Sequence, residues 1–97
     1  MVQNVDVEPA LCIPRVYSNT TKNKIFDIFN KVNIGKIKTI NFHYNRKNNN
    51  KRVVIVFDHW FKNDTSAYFK EKIKKNEWIY IPYSEGLWKC RQYNNVN

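Results

Sequence analysis

The chain has 97 residues, is 42% hydrophobic and 15% aromatic, and carries a formal net charge of +9. That length suffices for one domain with its own core, the aromatic content excludes a disordered chain, and two cysteines exclude a disulfide framework. The excess of 17 Lys and Arg over 8 Asp and Glu favours a polyanionic partner, nucleic acid first and an anionic surface second. Residues 1–9, with Asp6, Glu8 and Pro9, read as a tail, and the domain runs over 10–93. Ala10–Tyr17 alternates Leu11 and Ile13 against Cys12 and Pro14 and predicts a first strand, with Pro14 at an edge or a strand end because it has no N–H to donate. Ser18-Asn19-Thr20-Thr21 supplies helix-capping hydroxyls and amides, and Lys22–Val32 places Ile25, Ile28, Phe29 and Val32 on one helical stripe. Asn33-Ile34-Gly35 ends that helix, with Gly35 expected as a positive-φ cap.

Lys36–Tyr44 predicts a second strand with Ile40 and Phe42 on one face and Asn41 and His43 on the other. Asn45–Asn50 is a polar hairpin loop, and Arg52–Phe57 a third strand with Val53, Ile55 and Phe57 inward and Arg52, Val54 and Val56 outward. Apolar residues on both of its faces mark a central strand. Asn63-Asp64-Thr65 caps a second helix running to about Lys75, with Phe69 and Ile73 one turn apart. Trp78–Tyr83 predicts the fourth strand, burying Ile79 and Ile81 and exposing Trp78 and Tyr80. After a turn at Ser84-Glu85-Gly86, Leu87–Tyr93 reads as an extra strand or a packed tail, and 94–97 as a disordered end. The order β-α-β-β-α-β predicts an α+β, ferredoxin-like fold: a four-stranded antiparallel sheet with two helices on one face and the other face open.

Over residues 10–83 this pattern resembles the RNA recognition motif family. Leu11 to Val16 resembles its first ribonucleoprotein motif, and the strand from Lys51 to Phe57 its second. The resemblance implies RNA binding on the open sheet face. It also locates the departures: the first motif's stacking aromatic is Cys12, and the second motif's two are Arg52 and Val54. A narrower resemblance is to small RNA-recognition-motif-like proteins of large DNA viruses of protists. It is carried by Ile13-Pro14-Arg15-Val16, Ile34-Gly35-Lys36-Ile37, the strand from Arg52 through Phe57 to Trp60, and Trp88-Lys89. It implies a viral protein of the host cytoplasm or virion.

Without those aromatics, affinity has to come from cations and from rings elsewhere. Arg46, Lys47, Lys51 and Arg52 flank the hairpin with no acid between Asp27 and Asp58, which suits phosphate contact. Asn41 and His43 share the expected open face, and Trp78 and Tyr80 add rings on which bases stack. These eight residues form the expected nucleic-acid site. A protein partner meeting the sheet face or the Trp88 region is the alternative. Cys12, His43, His59 and Cys90 lack the paired spacing of a zinc site. No glycine-rich phosphate loop or paired acid-base set is visible, so neither a cofactor nor an enzymatic role is expected. No apolar run reaches membrane length and the N-terminus lacks a secretory pattern. The expectation is therefore an intracellular protein away from membranes, with Cys12 and Cys90 as free thiols.

Overall fold

A computed structural model describes residues 8–93; residues 1–7 of the expected tail over 1–9, and the expected disordered end at 94–97, lie outside the described residues. The strands are β1 (Leu11–Tyr17), β2 (Gly35–Asn45), β3 (Asn50–Trp60), β4 (Ile79–Tyr83) and β5 (Gly86–Gln92), and the helices α1 (Lys22–Val32) and α2 (Asp64–Lys74). Local chemistry sets the helix ends. The hydroxyl of Thr21 accepts from the Lys24 amide at 3.1 Å and the Asn63 side chain from the Ser66 amide at 2.8 Å, each satisfying a donor of a first turn. At the end of α1 the left-handed residue is Asn33, φ 63°, and not Gly35. Gly35 instead opens β2 where the chain passes close to β3: a Cβ there would lie 2.8 Å from the His59 carbonyl oxygen and from the Phe57 ring.

The five strands form one antiparallel sheet in the order β2-β3-β1-β5-β4. This overturns the expected four-stranded ferredoxin-like arrangement. The place beside β1 belongs to β5, and β4, expected as the last strand, sits outside it at the sheet edge. Hydrogen-bond supply fits that placement: Pro82 has no N–H, its nitrogen faces away from β5, and at the sheet edge no neighbouring strand asks for the missing donor. The two-residue loop Ser84-Glu85 then folds β4 back on β5, pairing Tyr83 with Gly86.

Leu11, Ile13, Ile25, Phe29, Ile40, Ile55, Phe57, Ile73, Ile79 and Ile81 form the core between the sheet and the helices, with Phe42 and Phe69 packed partly buried against it. The strand register is as the alternation predicts: Phe57 points into the core, and Val54 and Val56 lie outside it. Trp60, Trp88 and Cys90 also belong to the core, as do Val16, Ile34 and Val53. Trp88 is 4% exposed and stacks on Tyr83 with centroids 4.4 Å apart, so it serves the core first.

Two irregularities shape the sheet. Between Ile13 and Val16 the register of β1 on β3 shifts, a bulge at Pro14-Arg15 that lets Ile13 and Val16 both point inward. Beyond Cys12, β1 and β5 part: they pair only at Leu11–Gln92 and Cys12–Arg91. Continuing that register sets Pro14 opposite Lys89, and Pro14 has no N–H with which to extend the ladder.

Glu8 and Pro9, expected in the tail, are docked on the end of β3. The Glu8 carboxylate accepts from the Trp60 amide at 3.0 Å and from the Lys70 ammonium at 3.3 Å, and the Pro9 carbonyl accepts from the Trp60 indole N–H at 2.9 Å. Burial alone would raise the Glu8 carboxyl, but the Trp60 amide and Lys70 outweigh it, and its pKa lies below the ordinary value. A lowered carboxyl pKa stabilises the fold above the unfolded value, and that stability is lost as the pH falls through the native value. Glu8→Gln is expected to cost about 1 kcal/mol at pH 7 and less at pH 3. Thermal melts of both proteins at the two pH values test this; a deficit that persists in acid contradicts the ionic origin.

Candidate nucleic-acid interface

On the face of the sheet away from the helices, the register aligns one residue from each strand. Asn41 of β2 pairs with Val54 of β3, Val54 with Cys12 of β1, and Cys12 with Arg91 of β5. Ile79 pairs with Cys90, so Trp78 comes next to Arg91. The five residues Asn41, Val54, Cys12, Arg91 and Trp78 therefore form a row across the sheet, spanning about 19 Å at ordinary strand spacing. Beside it runs a second row with His43 paired to Arg52, then Pro14, then Lys89 paired to Tyr80. The Trp78 ring has the Lys89 ammonium 4.5 Å and the Arg91 guanidinium 5.2 Å from its centroid. Such cation–π pairs attract the cations to the ring face. Tyr80 is exposed and Trp78 half-buried.

The row's centre is where stacking rings were expected and are missing. Cys12 and Val54 are both 4% exposed, small and apolar, with Arg52 and Arg91 near them. Burial pushes the Cys12 thiol up against the opposing pull of the two guanidiniums, so it is held as the neutral thiol. Cys90 points the other way into the core, where burial pushes its thiol higher still; both cysteines are free.

The eight expected site residues do not all meet. Asn41, His43, Arg52, Trp78 and Tyr80 share the open face, and Arg46 and Lys47 stand exposed on the turn that joins β2 to β3. A groove at that end is lined by Pro14, His43, Arg46, Lys47 and Arg52. The turn is tighter than expected, because Asn45 and Asn50 pair and leave Arg46–Asn49. The Asn45 side chain accepts from the Lys47 amide at 3.1 Å. Lys51 goes elsewhere. It alternates with Arg52, pairs with Val16, and lies 3% exposed on the helix side with its ammonium 3.8 Å from the Phe42 ring centroid. It serves packing and offers no phosphate contact.

Arg91 and Lys89 are the members of the face that sequence reasoning missed. The signal was present: Trp88 and Cys90 alternate with Lys89 and Arg91, the period of a strand with one buried face. The nearest acid along β3 on this side is Asp58, about 20 Å from Arg52 at strand rise, beside His59 at 3.8 Å. Cys12, His43, His59 and Cys90 do not converge: Cys12 lies on the outer face and Cys90 in the core. Among the described residues no helix is long and apolar enough to cross a membrane. No family model, curated protein or solved structure matches the chain.

Proposed function

We propose that this protein binds single-stranded nucleic acid, RNA foremost, across the open face of its sheet. The observation that carries the reading is the alignment of Arg52, Arg91 and Lys89 with the Trp78 and Tyr80 rings on one surface, continued by Arg46 and Lys47 at the hairpin turn. Guanidinium planes meet phosphates and lie on bases, so they supply part of what aromatic rings supply elsewhere. The reading includes distant kinship with the RNA recognition motif family, carried by β1 and β3, with Cys12, Arg52 and Val54 where that family stacks bases. No catalytic role is assigned.

Trp60 and Trp88 are buried, which leaves Trp78 as the tryptophan a base can reach. A ten-nucleotide oligouridylate is expected to quench its emission, with affinity falling steeply from 50 to 300 mM salt. Trp78→Phe should abolish the quenching and keep the salt slope. Arg46→Ala with Lys47→Ala should flatten that slope by about 0.7 for each phosphate these side chains neutralise. Absence of binding at 50 mM salt, with salt-insensitive capture of a protein instead, transfers the face to a protein-contact role.

A further inference from the structure

The split between β1 and β5 leaves main-chain groups without a sheet partner. In a two-residue hairpin the residues flanking the loop exchange hydrogen bonds, and the pattern alternates from there. Gly86, Trp88 and Cys90 therefore bond to β4, while Leu87 and Lys89 turn their N–H and C=O toward β1. The Tyr93 amide, in the same alternation, does reach β1, donating to the Ala10 carbonyl at 2.8 Å. At Leu87 and Lys89 the strands have parted, and Pro14 has no N–H to return.

A pocket of about 290 Å³ opens in this split, lined by Arg15 and Tyr17 of β1, Asn48 and Asn50 of the hairpin, and Leu87 and Trp88 of β5. No carboxylate lines it. Among the described residues no side-chain hydrogen bond or ion pair engages Arg15, Asn48 or Asn50. Its size is at the small end of ligand pockets, about 300–1,000 Å³, room for one flat group and not for an added strand. The donors and acceptors match the edge of a base: the N–H and C=O pair of Leu87 and the side-chain amides of Asn48 and Asn50, with Lys89 and Pro14 outside the lining. Asn50 also lines the groove holding Arg46, Lys47 and Arg52, so the pocket continues the charged track.

We infer that the β1–β5 split is a subsite for a single unpaired nucleobase, read by the Leu87 backbone and by Asn48, with Arg15 on the adjoining phosphate. This rests on the proposed function, since it places one nucleotide of the strand that the sheet face holds. The test follows backbone amide resonances of the whole protein while uridine, cytidine, adenosine and guanosine 5′-monophosphates, and the matching RNA octamers, are added. The expected result is that the Leu87 amide shifts with one base more than with the others. Asn48→Ala should then lower affinity for the preferred octamer about tenfold and erase the preference, without altering the extent of Trp78 quenching at saturation. Arg15→Gln should lower affinity for all octamers alike. Octamers that quench Trp78 but leave the Leu87 amide unmoved overturn the subsite and spare the sheet-face reading. Mononucleotides that shift the Leu87 amide while no octamer quenches Trp78 uphold the subsite and overturn the sheet face. Amides that answer an alternating Val-Thr hexapeptide and no nucleotide give the split to strand addition and overturn the base.

Discussion

Trp88→Ala is expected to lower the unfolding free energy by about 3–5 kcal/mol, enough to leave a domain of this size barely folded. The side chain is 4% exposed, lies in the core and stacks on Tyr83. It sits on β5, which β1 holds through only two pairs, so core packing is what keeps the β4–β5 hairpin in the sheet. Phe29→Ala, deleting the largest fully buried side chain of α1, should cost a similar amount. Trp78→Ala provides the contrast. Its ring lies on the outer face against Lys89 and Arg91, and losing it should cost no more than about 1 kcal/mol. Urea unfolding of the three variants separates these outcomes. Equal losses at Trp88 and Trp78 would mean that β5 does not alternate as described.

The second large effect is expected in binding. Arg52→Ala with Arg91→Ala removes the two cations that flank Cys12 on the open face. Each substitution should cost about 1 kcal/mol of affinity for a short single-stranded RNA, together roughly thirtyfold. The salt slope should flatten by about 1.4 if both meet phosphate. A replacement of Lys51 serves as the control. That side chain is buried on the helix side, so Lys51→Met should leave the salt slope of binding unchanged. If the Lys51 variant flattened the slope as much as the double arginine variant, the assignment of faces would be wrong. Folding of the double variant is checked by its thermal melt, since both positions are exposed.

Most elements were legible in the chain because their signals are local. Ile25 and Phe29 recur at helical spacing beneath Thr21, and Val53, Ile55 and Phe57 alternate with Arg52, Val54 and Val56. Those periods decide which side of an element is buried whatever its neighbours are. Alternation also separates Lys51 from Arg52, although the run of cations around them concealed it.

What tertiary structure alone decided was adjacency. That β5 and not β4 lies beside β1 is seen only in the assembled sheet, where Pro82 lies on the edge strand that needs no second set of donors and Pro14 stands where the β1–β5 ladder stops. The same accounting joins Arg91 and Trp78 to the row begun by Asn41, Val54 and Cys12, and opens the split at Leu87 and Lys89. Glu8 and Pro9 lie more than fifty residues from the Trp60 groups they accept from, and no local pattern announces such a contact. Sequence by itself determined the strands, the helices and their buried faces, because periodicity acts within a few residues. The order of the strands, and with it the composition of the open face, was decided by hydrogen bonds between distant segments, whose partners exist only once the sheet is assembled.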